Sequence, residues 1–394
     1  MKIDPQRLVP RRGINRIEKT YRDLTQKGRK IIKLFSGNPG DQGIIFPQNI
    51  LKEAYETALA NQDYHPHAKG LLTAREAIAK DYQSKGVSVD PENILLTSGT
   101  SESFFYLFSL LTQAGDNILT PNPAYPLFDH IAKLARIELR QYPLIEEKDW
   151  AVDIENLKDQ IDSRTKAIVL ISPHNPTGAV ISRQQILEIV EFANQKNLAL
   201  ICDEVFAEFY FGPGDFPRPM ADSSPQLCFT LNGISKMFAL PSLKLGWILV
   251  SGEKNRVEAA VDELETTADT FLSCHTPIQR ALPEIFQKGA DFVGSYKKEV
   301  NRRRLLAMNL LHSCPAITCV EPHGGFYLMA KIIKDLKITE EEFVIRLMEE
   351  KGVFVHPGYF FDYEEGIHCV ISYLTQPEFL SEGLSELLNF IHIS

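Results

Sequence analysis

Residues 166–204 read KAIVLISPHNPTGAVISRQQILEIVEFANQKNLALICDE, and this stretch decides the fold. KAIVLIS is an apolar run of strand length. A turn carrying Pro173, Pro176 and Gly178 follows it. Ser182 then opens SRQQILEIVEFANQK, whose apolar residues recur at helical spacing behind a Ser cap. NLALIC (197–202) is a second apolar run. Strand, helix and strand in this rhythm predict a βαβ unit, and so a largely parallel sheet flanked by helices.

Outward from this unit the rhythm holds from about Leu51 to Val250. ENILLT (92–97) precedes SGTSESFFYLFSLLTQAG, DNILTPNPAYP follows, and LCFTLNG (227–233) and LGWILVSG (245–252) complete the series. From about Val261 the pattern changes to long helical segments around a few strands, among them GGFYLMAKI and HCVISYL. This predicts a smaller α+β domain. The expected division is a large domain over 41–260 and a small domain built from 1–40 with 261–394. FGPGDFPRPMADSSPQ (211–226) reads as a long loop.

The 394 residues suffice for two or three cores, and 44% hydrophobic with 24% charged residues is an ordinary globular balance. A formal net charge of −9 argues against nucleic acid as the main partner. No apolar run reaches bilayer length, and the charged N-terminal stretch MKIDPQRLVPRRGINRIEKTYRDL lacks the apolar core of a signal peptide, so the expected compartment is the cytoplasm, with no membrane partner. The six cysteines are scattered without CxxC spacing, which predicts neither a disulfide framework nor a metal site.

In a sheet of this kind, ligands sit beyond the carboxyl ends of the strands. ILLT ends in Ser98, Gly99 and Thr100 at the start of a helix, a ready anion site. AIVLIS leads to Asn175 in its rigid turn, LALIC to Asp203, and LCFTL to Ser235 and Lys236. Singly, a cap, a turn asparagine and a solvated lysine have ordinary structural readings; a carboxylate directly after five apolar residues demands a strong partner. Together, an anion site, an amide, a buried carboxylate and an amine suit a phosphorylated heteroaromatic aldehyde with a ring nitrogen.

With these residues in view, the chain resembles the class I and II aminotransferases, pyridoxal-phosphate (PLP) enzymes of fold type I, from about Leu34 to about Leu388. It looks nearest to the alanine aminotransferase-like branch. GNPGD (37–41), GLLTAREAIAKDY (70–82), SGTSE, PNPAYPLF, PHNPTGAV, CDEVF, NGISKMFALPSLKLGW and GGFYL occur in the family's order. The resemblance implies a seven-stranded, mostly parallel large sheet between helices and a smaller α+β domain. It implies pyridoxal 5'-phosphate held by Lys236 as a Schiff base. Asp203 would pair with the ring nitrogen, Asn175 with the ring oxygen, and Tyr125 would stack on the ring. Ser98, Gly99, Thr100, Ser235 and Lys244 would line the phosphate. It further implies a homodimer with shared active sites, in which a tyrosine, here Tyr64, reaches the partner's phosphate. The chemistry implied is ping-pong transfer between an amino acid and a 2-oxo acid, with Gly37 and His356 at the substrate.

Four positions depart from the family pattern. Phe206 stands where a tyrosine usually donates to the ring oxygen, and Lys244 where an arginine usually grips the phosphate. Val370, in HCVISYL, stands where an arginine usually pairs with the substrate carboxylate. Tyr64 is one residue out of step, with His65 at the matched place. The cations available to replace the arginine are His356, Lys69, His65 and Arg280. These departures keep two other readings open, a β-eliminating lyase on the same fold and a weakly catalytic PLP-binding dimer.

Overall fold

The computed structural model describes residues 15–60, 63 and 65–393. Its large sheet contains β2 (Ile94–Thr97), β3 (Asn117–Asn122), β4 (Glu138–Ile145), β5 (Ala151–Val152), β6 (Thr165–Ile171), β7 (Ala199–Asp203), β8 (Leu227–Gly233) and β9 (Gly246–Gly252). They lie in the order β2-β9-β8-β7-β6-β3-β4-β5. The five central strands β8, β7, β6, β3 and β4 run parallel. β9 lies antiparallel between β8 and β2. The two-residue β5 adds an eighth, antiparallel strand at the edge, beyond the seven expected.

The unit read from 166–204 forms as β6, a helix over Arg183–Lys196 and β7. Ser182 caps the helix by accepting the Gln185 N–H at 3.2 Å, and Asn197 ends it in the left-handed conformation. Alternate residues of the central strands enter different cores, the pattern of a sheet covered on both faces. Val169, Ile201 and Phe229 pack with the helices Thr100–Leu111, Phe128–Ala135 and Lys254–Phe271. Leu170, Leu200 and Cys228 pack instead with Ile186, Ile189 and Val190 of the helix Arg183–Lys196.

A second, four-stranded antiparallel sheet has the order β10-β11-β14-β13, from β10 (Ile317–Cys319), β11 (Tyr327–Ile332), β13 (His356–Pro357) and β14 (Ile367–Ser372). A short parallel pair, β1 (Ile32–Lys33) with β12 (Val353–Phe354), joins the N-terminal segment to it. The 37-residue helix Thr276–His312 connects the two bodies. Its Ile278, Leu282 and Ile285 pack with β2 and β9 residues, while Val300, Ala307 and Leu311 enter the core of the second sheet.

Glu146, just after β4, reaches across to the second sheet. It accepts from His368 Nε2 and from Lys331 Nζ, both at 3.2 Å. Burial alone pushes its carboxyl up, but these two partners outweigh it and leave Glu146 below the usual carboxylate value of 4.5. A carboxyl depressed by folding stabilises above its unfolded value and loses that contribution as pH falls through the folded one. Glu146→Gln is therefore expected to lower stability by about 1–3 kcal/mol at neutral pH. The gap to the unsubstituted protein should narrow as pH falls below 4.5, read as paired melting temperatures. A gap that stays constant with pH contradicts the pairing.

Candidate active site

The carboxyl ends of the central strands surround a cavity of about 190 Å³ whose wall carries Lys236, Asp203, Asn175 and Tyr125, with Gly99, Thr100 and Ser235. They arrive from the ends of five strands, β2, β3, β6, β7 and β8, because strands running the same way bring their following loops to one edge. A larger cavity of about 430 Å³, lined by Ser88, Asp90, Asn93, Lys254 and Glu258 among others, lies at the opposite end of β2 and holds none of these groups.

β8 ends at Gly233, where a Cβ would stand 2.8 Å from the Leu245 carbonyl oxygen. Only glycine lets β8 approach the start of β9 this closely, and the single helical turn Ile234–Met237 then presents Lys236. Lys236 Nζ donates to the Gly37 carbonyl at 2.8 Å and lies 5.9 Å from the Phe206 and Phe326 ring centres. Burial lowers the ammonium to about 8, so a useful fraction is a free amine near neutrality.

Asp203 closes β7, and it is buried. It accepts the Val205 N–H at 3.0 Å. Burial pushes its carboxyl up to about 7, the Val205 N–H pulls it down, and neighbouring Glu204 pushes it further up. A buried carboxylate in this state calls for a cationic donor. Asn175 Oδ1 is buried without a hydrogen-bond partner. Tyr125 sits close enough for Asp203, after burial, to raise its phenol.

At the head of the helix Thr100–Leu111, Lys244 Nζ stands 3.9 Å from where a Gly99 Cβ would be. Gly246 packs so close that a Cβ there would stand 2.9 Å from Gly99 Cα. The helix head and the Lys244 ammonium together offer an anion N–H groups and a charge. Ser98 lies one residue back, its N–H already taken by Glu102 Oε2 at 2.5 Å. The Asn175 amide, whose NH2 can donate, a carboxyl short of a cation, a partly deprotonated amine and a cationic helix head match the ring oxygen, ring nitrogen, aldehyde and phosphate of PLP. The donor set fits the cofactor.

The remaining expected residues are placed less uniformly. Gly37 belongs to the site through its bond to Lys236. His356 does not line the cavity. It is half-buried, stacked on Phe35 with ring centres 3.9 Å apart, and burial lowers it to about 4, which leaves it neutral. Lys69 is held by Glu92 at 2.6 Å, and Arg280 by the Asp63 carbonyl. His65 is exposed, and Tyr64 falls outside the described residues. Val370 is fully buried among Met329, Phe361 and Tyr363. Phe206 is buried, edge-on to Phe326 and Tyr327. The one polar side chain on the wall to which the sequence assigned no role is that of Tyr327, although GGFYL is a motif of the resemblance.

The family model for aminotransferase class I and II matches residues 29–378. The chain is 31% identical over 374 residues to a glutamate-pyruvate aminotransferase, AlaA, of Haemophilus influenzae, covering 93% of this chain and 92% of that one. It is 27% identical to an alanine aminotransferase of Mycobacterium tuberculosis over 93% of this chain and 87% of that one. Among solved structures, it superposes on an alanine aminotransferase from Pyrococcus furiosus with TM-score 0.93, at 27% identity and full coverage of both chains. An Escherichia coli aminotransferase superposes with TM-score 0.88 at 29% identity, covering 96% of this chain and 95% of that one. The β-eliminating and weakly catalytic readings find no support among these relatives.

Proposed function

This chain belongs to the class I and II aminotransferases and is a PLP-dependent transaminase, and from that premise we propose the roles of its residues and its substrates. Lys236 holds the cofactor and carries the transferred proton at Nζ. Asp203 accepts from the ring nitrogen and keeps it protonated. Asn175 bonds the ring oxygen, alone in that task because Phe206 offers no hydroxyl. Tyr125 covers the ring, while Gly99, Thr100, Ser235 and Lys244 hold the phosphate with Ser98 behind them. When bound, PLP supplies the electron sink that allows a proton to leave the amino-bearing carbon. The observation that carries this reading is the convergence of Lys236, Asp203 and Asn175 on one cavity, with the amine lowered and the carboxyl raised by burial, as suits an aldehyde and a protonated ring nitrogen.

Glutamate and pyruvate are the proposed substrate pair, on the strength of the relatives' activity. Alanine formation that requires both, with no ammonia released when pyruvate is omitted, is the expected result. Steady ammonia release without an acceptor contradicts it. Gly37 remains the proposed substrate contact, whereas His356, stacked on Phe35 and off the cavity wall, is withdrawn from that role.

We also propose a homodimer in which Tyr64 reaches the partner's phosphate. Exposed Leu127, Phe271 and Leu272 support it, large apolar side chains left open on the surface of the described chain. The two-domain division at 41–260 against 1–40 with 261–394 is proposed with the helix Thr276–His312 shared between the bodies. No helix among the described residues is long and apolar enough to cross a membrane. The cytoplasm is the proposed compartment.

Only the uncharged amine attacks an aldehyde. With Lys236 lowered to about 8, cofactor uptake by cofactor-free protein should quicken with rising pH and level off above about pH 8. Stopped-flow absorbance checks this. A rate that keeps rising to the ordinary lysine value of 10.5 contradicts the lowered amine.

A further inference from the structure

Once the cofactor's partners are set aside, one polar side chain remains on the cavity wall: Tyr327, among Phe128, Ile171, Val205, Phe206 and Leu245. Its hydroxyl stands 1.8 Å from where a Cβ on Gly37 would begin. The carbonyl of that same Gly37 receives Lys236 Nζ at 2.8 Å. The phenol and the reactive amine therefore approach one residue, Gly37. Strand register fixes the arrangement, because Tyr327 pairs opposite Ser372, and Ser372 Oγ donates to the Ser36 carbonyl at 2.7 Å. Burial holds the Tyr327 phenol well above its ordinary value, so it remains a donor throughout the working pH range.

Among the described residues, no cation of the second sheet lines the cavity. Val370 lies in register with Met329 and with His356, in an apolar cluster that Tyr327 also joins. His356 is neutral against Phe35. A substrate carboxylate reaching this side of the cavity meets neutral donors. We infer that the Tyr327 hydroxyl forms a neutral subsite that receives the carboxylate of the amino-acid and 2-oxo-acid substrates. Tyr327 is thereby a specificity-determining residue. The inference rests on the transaminase reading above.

Tyr327→Phe removes the hydroxyl and keeps the ring. KM for glutamate and pyruvate should rise roughly 10- to 100-fold, the range for one hydrogen bond to a charged group, with kcat within about twofold. Inhibition by propionate, a carboxylate with no amine to react, should weaken in parallel. The visible band of the bound cofactor should be unchanged, which also reports that the variant is folded and loaded. Unchanged KM and propionate inhibition, or a fall in kcat alone, overturns the assignment while leaving the transaminase reading intact. An unsubstituted enzyme that transfers no amino group between glutamate and pyruvate removes that reading, and the subsite with it. To cover loss of the band in Tyr327→Phe, propionate binding to the unsubstituted holoenzyme is measured as Tyr327 proton shifts. Perturbation of the Tyr327 resonance supports the subsite, and an unmoved resonance at saturating propionate overturns it.

Discussion

Lys236→Ala is expected to lower turnover roughly ten-thousand-fold or more and to remove the visible band of the bound cofactor. Among the described residues, no other lysine lines the cavity wall. Lys244 is turned to the Gly99 helix head, and Lys69 is tied to Glu92. Neither can take over, because each already faces an anion or an anion site and neither lines the cavity wall. The folded protein should survive the change. Lys236 makes one described hydrogen bond, to Gly37, and truncating a half-buried lysine relieves a desolvation cost. An Ala variant that kept both the band and the rate would place the covalent attachment elsewhere.

Asp203→Asn is expected to cost about 10²–10³-fold in kcat, the scale seen when one preorganised electrostatic partner is removed from an active site. Asparagine keeps the shape and the Val205 contact but cannot balance a protonated ring nitrogen. The same carboxyl gives a pH signature. In the cofactor-free fold its value is raised from 3.8 to about 7, so the folded state binds more protons than the unfolded chain between those values. Its contribution to stability is therefore present at low pH and is lost as pH rises through about 7. A bound cation on the ring reverses that loss. The gain in melting temperature on adding PLP should be larger at about pH 8 than at about pH 5, and Asp203→Asn should shrink the difference. An equal gain at both pH values would mean that Asp203 faces no cationic group.

Much of this was legible in the sequence, for reasons specific to certain residues. The unit 166–204 could be read because both strands are buried on both faces and the helix carries its own Ser182 cap. The strand-end rule then gathered Thr100, Asn175, Asp203 and Lys236 without any knowledge of distances. β5 escaped because two residues carry no period. The long helix Thr276–His312 gave no sign of serving two cores, since its apolar spacing is continuous and only its neighbours differ. His356 looked like an available cation because burial and the Phe35 stack are tertiary facts. Tyr327 was invisible as a site residue for the same reason. Its meaning depends on Gly37, brought beside it by the pairing of β14 with β11 and the bond from Ser372 to Ser36. Phe206, Lys244 and Val370 were readable as departures, whereas the structure supplies their consequences: an apolar wall, a cationic helix head and a filled apolar cluster.

The central claim is that Lys236 alone carries PLP. Reducing the loaded enzyme with borohydride and mapping its peptides by mass tests this most directly. The account predicts one cofactor-derived mass per chain, on the peptide containing Lys236. The same mass on Lys244, Lys69 or any other lysine, with Lys236 unmodified, would contradict it.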